Sequence, residues 1–302
     1  MYKLLKLNDF RQFKDMDISL GKRLTVLAGR NSTGKSTILG ILANSGELKK
    51  KDGTTYADGQ FRAEFSEIFH GSKKYDASGS DRIQIDIVDE NDDQIDYRKF
   101  RTAWQNDNGK DRFRVIPLKM LEDGKKTEAK MQIPVIYLGL SRLFPIGEAN
   151  EDKITTKKIK FIDDEQKQWF VEQYTQILSL YDTVTDVSNY SIGETDKKKG
   201  VGIETDKYDY LTNSSGQDNL GQILMAILSF KRLKKQREEW TGGLLLIDEI
   251  DATLHPAAQK RLIDLLTKEA KVNDIQVVVT THSSDLLKHI CNKTVHNNIN
   301  KN

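Results

Sequence analysis

The sequence predicts an α/β fold in which a mostly parallel sheet is flanked by helices. Three observations carry that prediction. Residues Gly29-Arg30-Asn31-Ser32-Thr33-Gly34-Lys35-Ser36 match the phosphate-binding pattern G-x-x-x-x-G-K-[ST]. The apolar run Leu24 to Ala28 precedes the pattern and the apolar stretch Thr37 to Ala43 follows it, which reads as strand, turn, helix. Two further apolar runs, Leu244 to Ile247 and Ile275 to Thr280, end in polar groups, as strands buried on both faces do at their carboxyl ends.

A chain of 302 residues has ample length for a core. It is 30% charged and 37% hydrophobic, yet its formal net charge is only +2, which makes no global electrostatic case for nucleic acid. No run approaches the ~18 apolar residues of a membrane-spanning helix. Met1 to Asp9 alternates apolar and charged residues and has no signal-peptide core. The single cysteine, Cys291, excludes an internal disulfide framework. The expectation is a cytoplasmic protein with no membrane partner.

The elements follow in order. Tyr2 to Leu7 and Asp15 to Leu20 alternate as strands, and Gly21-Lys22 is a turn. Asn44 to Gln60 is polar. Phe61, Phe65, Ile68 and Phe69 then lie on one helical face and read as core. Ile83 to Asp89, Arg114 to Met120 and Ile133 to Leu140 read as strands of a β-rich lobe, separated by loops such as 106–111 and 122–130. Asp163 to Leu180 is a helix. Asp182 to Asp209 reads as a polar loop with a weak strand at Val201 to Glu204. Gln217 to Trp240, Pro256 to Lys271 and Ser284 to Ile290 are helices, and 292–302 is a polar tail.

The chemistry concentrates at the strand exits. Two glycines let the backbone of the loop curl, so that the N–H groups of residues 30–37, from Arg30 to Thr37, converge on phosphate oxygens. The helix N-terminus adds its positive end. Lys35 is placed to meet β/γ-phosphates, and the Ser36 hydroxyl to ligate Mg²⁺. Asp248 is a second Mg²⁺ ligand, and Glu249 is the carboxylate that polarises the attacking water. His282, at another strand exit, is placed to hydrogen-bond the γ-phosphate. Ser214, Ser215 and Gly216 open the long helix. They form either a second anion site or an ordinary helix cap, and spacing alone leaves both open.

In this order, the phosphate loop, Ser-Ser-Gly-Gln, Leu-Ile-Asp-Glu and Thr-His-Ser resemble the ABC-type ATPases. The opening Asn8-Asp9-Phe10-Arg11-Gln12-Phe13-Lys14 and the run Asp248 to Pro256, ending Leu-His-Pro, are similar to the RecF/SMC/OLD-like branch of AAA family ATPases. The resemblance covers about residues 1–45 and 210–290. It implies a single ABC-type P-loop NTPase head over residues 1–302, with a β-rich N-terminal lobe. Residues from about 44 to 210 form a β-hairpin and helical insertion.

The resemblance also implies ATP and Mg²⁺ as cofactors and a homodimer, or higher oligomer, that buries ATP between heads. Ser214, Ser215 and Gly216 would then face the γ-phosphate held by the opposite subunit. Thr253, Leu254 and His255 would lie at the seam, and Arg11 is expected near the phosphates. The branch usually offers a Gln at the end of a middle strand; here none ends Ile133 to Leu140, and Arg142 stands close by. No Asp-x-Asp cluster follows His282. The expectation is an ATPase subunit that regulates a separate effector, such as an HNH-type nuclease in a Septu-type phage-defence complex, with nucleic acid met through the complex. A RecF-like repair ATPase that binds DNA directly is the alternative; Lys231 to Arg237 supplies its candidate basic patch, set against a plain solvated helix face.

Overall fold

The computed structural model describes residues 1–299 apart from 90, 92, 122–123 and 194–198. The chain begins β1 (Tyr2–Leu7), β2 (Met16–Ser19), β3 (Leu24–Ala28), α1 (Lys35–Ala43) and α2 (Phe65–Ile68). It continues β4 (Gly79–Val88), β5 (Gln94–Asp107), β6 (Lys110–Met120), β7 (Lys126–Thr127), β8 (Val135–Leu138) and β9 (Ile154–Lys158). Then come α3 (Asp164–Leu178), β10 (Val184–Ile192), β11 (Lys199–Thr205), α4 (Ser215–Gln236) and β12 (Gly243–Ile247). The last elements are α5 (Pro256–Asn273), β13 (Ile275–Thr281) and α6 (Ser284–Ile299).

A four-stranded parallel sheet, ordered β3-β13-β12-β8, forms the centre. Its strands alternate between two cores. Leu245, Ile247, Val277 and Val279 pack toward α3, α4 and α5. Leu244, Leu246 and Val278 pack toward α1 and a six-stranded antiparallel sheet, ordered β2-β1-β4-β5-β6-β7. Burial on both faces is why these strands read as unbroken apolar runs. Each such side chain, fully buried, contributes about 1.5–3 kcal/mol.

Several sequence expectations need correction. The stretch Asp182 to Asp209, read as a polar loop with a weak strand at Val201 to Glu204, contains that strand as β11 and a further one, β10, and both join β9 in a third, antiparallel sheet; residues 194–198 of that stretch lie outside the described residues. Val187, Val201 and Ile203 belong to the same core cluster as α4, and Tyr190, also buried, donates to Asp218 of that helix. Polar and glycine neighbours dilute the alternation in sequence. Of the aromatic stretch from Phe61 to Phe69, only Phe65–Ile68 is helical, although Phe61 and Phe65 are both core. Helix α4 starts two residues earlier than expected and stops at Gln236. Helix α6 runs through part of the expected tail, of which 300–302 lie outside the described residues, as do 122–123 of the expected loop.

Gln276 of β13 ties the antiparallel lobe to the parallel sheet. Its Oε1 accepts from the Tyr2 amide at 2.7 Å, and its Nε2 donates to the carbonyls of Tyr2 at 2.8 Å and Gly21 at 2.9 Å. Gln276→Leu keeps similar bulk but orphans these groups. The expected loss is roughly 2–4 kcal/mol, because each buried orphan costs about 1–3 kcal/mol. Urea denaturation checks it; a loss below about 0.5 kcal/mol, the size of an ordinary surface change, would remove the clamp.

Candidate nucleotide site

All four strands of the central sheet run in one direction, so β3, β13 and β12 release their chains at one edge. Thr281 pairs with Ala28, which brings His282 out beside Gly29. Ile247 pairs with Val279, which brings Asp248 out beside Thr280.

The phosphate loop spans the gap between β3 and α1. Ser32 and Gly34 take left-handed backbone, with φ of 63° and 88°. Gly34 has a second constraint: a Cβ there would sit 2.2 Å from Gln12 Nε2 and 2.3 Å from Phe13 Cζ. Arg30, Asn31, Ser32 and Thr33 are exposed, while Lys35 and Ser36 are half-buried and Thr37 is buried. The Lys35 ammonium donates to the carbonyls of Gly29 at 2.9 Å and Arg30 at 2.8 Å. Thr33 Oγ1 donates to the Arg30 carbonyl at 2.9 Å. No side chain caps α1, so its first N–H groups face outward.

Asp248 is buried at 3% exposure and sits one residue past β12. Thr280 joins it to Glu249: the Thr280 hydroxyl donates to Asp248 Oδ1 at 2.6 Å and accepts from the Glu249 amide at 2.7 Å. Glu249 bends the chain with a left-handed φ of 49°. Ser36 and Asp248 line one cleft of about 710 Å³, together with Phe69, Tyr137, Ser141 and Glu67. Burial pushes the Tyr137 phenol up, and the Asp248 carboxylate adds to the push.

Arg142, which stands close by the strand end that lacks the expected Gln, follows β8 and is 2% exposed. Its guanidinium donates to the carbonyls of Leu138 and Gly139, to the carbonyl of Glu249 and to Asn219 Oδ1. Burial pulls it down to about 10, against the raising effect of Asp248. Ser141, its neighbour, lines the cleft instead.

The start of α4 is a helix cap in this chain. Ser214 accepts from the Gln217 amide at 3.3 Å, and Gln217 Oε1 accepts from the Ser214 amide at 2.8 Å, a capping box. Ser214 itself is exposed, and Ser215 and Gly216 are half-buried. A Cβ on Gly216 would lie 2.6 Å from the Thr253 carbonyl, so this helix start rests on the turn after Glu249. Among the lining residues of the cleft at Ser36, none comes from this helix start. His282 is exposed, and its amide donates to Asp251 Oδ1 at 3.4 Å. Thr253 and His255 are exposed, and Leu254 is buried.

Arg11, expected near the phosphates, is held by partners within the chain. Its guanidinium forms a two-point ion pair with Asp76, at 3.0 and 3.3 Å, and lies 5.1 Å from the ring centres of Phe65 and Phe69. The contacts to the loop come from its neighbours Gln12 and Phe13. The basic run on α4 is also engaged inside the chain. Lys231 pairs with buried Glu269 and stacks on Trp169. Arg232 stacks on Tyr56, Lys234 reaches the Val272 carbonyl, and Lys235 pairs with Asp163 and Glu165.

Sequence reasoning missed Thr280, Asn219 and Tyr137 as site residues. Thr280 left a signal, a hydroxyl at the end of an apolar strand next to the Asp-Glu exit. Asn219 and Tyr137 left none, because their roles depend on contacts across the fold.

The profile of the AAA ATPase domain family matches residues 1–95 and 125–287. The chain belongs to that family. An Smc head solved bound to the C-winged helix domain of ScpA is 19% identical, over 95% of this chain and 91% of that one, with a TM-score of 0.50. The SMC head domain from Thermotoga maritima is 14% identical over the same shares, with a TM-score of 0.46. The fold is that of an SMC-head-like α/β ATPase domain. Uncharacterized protein MJECL11 of Methanocaldococcus jannaschii is 44% identical over 46 residues, which is 15% of this chain and 40% of that protein's length. Among the described residues, no helix is long and apolar enough to cross a membrane.

Thr280→Val replaces the hydroxyl with a methyl of similar size. It leaves Asp248 and the Glu249 amide without their shared partner. The expected cost is about 1–3 kcal/mol of stability, with a fall in ATP turnover that Thr280→Ser restores. Equal turnover in the valine and serine variants would show that the hydroxyl does not organise the exit.

Proposed function

We propose that this chain is a cytoplasmic Mg-dependent ATPase head that dimerises around ATP and regulates a separate effector. The observation that carries the reading is the shared cleft of Ser36, in the first turn of α1 after β3, and Asp248, at the exit of β12, the two strands that flank β13 in the parallel sheet. A hydroxyl and a carboxylate converging there suit a hard divalent cation. When bound, Mg²⁺ would neutralise charge on the phosphate oxygens. Lys35 would exchange the Gly29 and Arg30 carbonyls for β/γ-phosphate oxygens. The uncapped amides of the first turn of α1 would hold the same anion. Glu249 would take a proton from, or orient, the attacking water, with His282 beside the loop to sense the γ-phosphate.

The dimer reading gives the exposed Ser214, with Ser215 and Gly216, a second role against the partner head's nucleotide. Capping α4 leaves the hydroxyl of Ser214 at the surface. Residues 1–302 act as one head, with about 44–210 as its insertion. The effector reading rests on the OLD-like Leu254-His255-Pro256 ending. It assigns the effector to a second chain, an HNH-type nuclease in a phage-defence assembly of Septu type. Direct DNA binding through Lys231 to Arg237 is the weaker reading, because four of its cations are already held by partners within the chain.

The catalytic half is tested by two variants. Lys35→Ala is expected to abolish ATP binding. Glu249→Gln keeps size and polarity but not basicity; it should bind ATP, accumulate dimers in size-exclusion chromatography and lose about 10²–10⁴-fold in turnover. Wild-type affinity in a folded Lys35→Ala chain, or wild-type turnover in Glu249→Gln, would sink the respective assignment. The effector half is tested by DNA degradation. The purified chain should leave DNA intact with Mg²⁺ or Mn²⁺, while a co-purified partner, identified by mass spectrometry, confers cutting. Degradation by the isolated chain that survives Lys35→Ala would place a nuclease site in this sequence.

A further inference from the structure

The buried Arg142 guanidinium joins three parts of the molecule that the chemistry must align. It fastens the end of β8 through the carbonyls of Leu138 at 3.1 Å and Gly139 at 2.9 Å. It holds the carbonyl of Glu249 at 3.0 Å, at the residue whose backbone is left-handed. It also holds Asn219 Oδ1 at 2.8 Å, on the second turn of α4. Asn219 then passes the contact on: its amide nitrogen donates to the Ala252 carbonyl at 3.0 Å and to Thr253 Oγ1 at 3.3 Å. Gln222 closes the ring, donating to the Arg142 carbonyl at 3.2 Å and to Asp218 Oδ1 at 2.9 Å.

We propose that Arg142 is a positioning residue that transmits the placement of the α4 start and the Thr253 turn to the Glu249 carboxylate. The inference rests on the reading of Glu249 as the residue that orients water. The planar fork suits the task, because one rigid group sets the angle between three acceptor directions. A shift of α4 when Ser214 meets a second head would move Asn219, and with it the guanidinium that fixes the Glu249 backbone. Arg142 takes the main-chain carbonyl of Glu249, and its charge also acts on the carboxylate.

Arg142→Lys, Asn219→Asp and Glu249→Gln separate the possibilities. Lysine keeps the charge but loses the fork. Asn219→Asp keeps an acceptor for Arg142 and removes the donors to Ala252 and Thr253. In both, nucleotide affinity by calorimetry should stay within about twofold while kcat falls roughly 10- to 100-fold, the size of effect that misplacing a catalytic group produces. Amide hydrogen exchange in 249–254 should quicken, and exchange in 35–43 should not. Unchanged kcat in both variants would overturn the proposal. So would a kcat loss matched by lost affinity and faster exchange throughout the sheet, which marks a packing role alone. Wild-type turnover in Glu249→Gln would instead defeat the catalytic reading, and the exchange pattern would still decide whether Arg142 governs the turn.

Discussion

Parallel pairing of β3, β13 and β12 is the constraint from which the candidate site follows. Parallel strands place their carboxyl ends on one side, and the chain must leave the sheet there in loops. In this molecule the exits are Gly29, Asp248 and His282, so the phosphate loop, the Asp-Glu pair and the histidine all leave the same edge of the sheet. The register is fixed by burial on both faces. A slip of one residue would turn Leu245 and Ile247 toward the wrong core and move Asp248 away from Thr280. Hydrophobic packing therefore sets the position of the polar chemistry.

The second constraint is how polar groups survive at this buried edge. Asp248 is almost fully enclosed, and a lone carboxylate there would be costly. Thr280 supplies a hydroxyl, and the Arg142 cation lies close enough to offset the charge. The same hydroxyl takes up the Glu249 amide, which the left-handed turn would otherwise strand. One threonine thus stabilises both the buried acid and the bend that presents its neighbour. Strain at Glu249 and Thr253, with φ of 49° and 62°, persists because partners on α4, β8 and β13 hold the turn.

Most of this was legible where function and local pattern coincide. The phosphate loop, the apolar runs and the Asp-Glu exit each occupy a short window, and periodicity identifies such windows well. Most of the third sheet escaped because the apolar residues Val187, Tyr190, Val201 and Ile203 are interspersed with Ser188, Asn189, Gly200 and Gly202, which leaves only a weak strand pattern at Val201 to Glu204. The resemblance places Arg11 near the phosphates, but its ion pair within the chain was not legible. Its carboxylate partner, Asp76, lies 65 residues away, and no local pattern links the two. The α4 start could be read as cap or anion site; the capping box with Gln217 shows the cap, and an exposed Ser214 hydroxyl remains compatible with both.

The long helix is where these constraints meet. Its start rests on the Thr253 carbonyl through Gly216, a contact close enough that any side chain there would collide. Its first two turns contribute Asn219 to Arg142 and Asp218 to the third sheet, where Asp218 accepts from Tyr190 Oη at 2.7 Å and the Val201 amide at 2.8 Å. Burial and the nearby Asp218 push the Tyr190 phenol up, so it stays a donor across the ordinary pH range. The helix therefore cannot tilt alone. A displacement of its start strains both the third sheet and the turn that carries Glu249. Under the proposed dimer, this coupling would carry a contact at the surface of one head to the carboxylate within it, using packing and hydrogen bonds already needed to hold the fold.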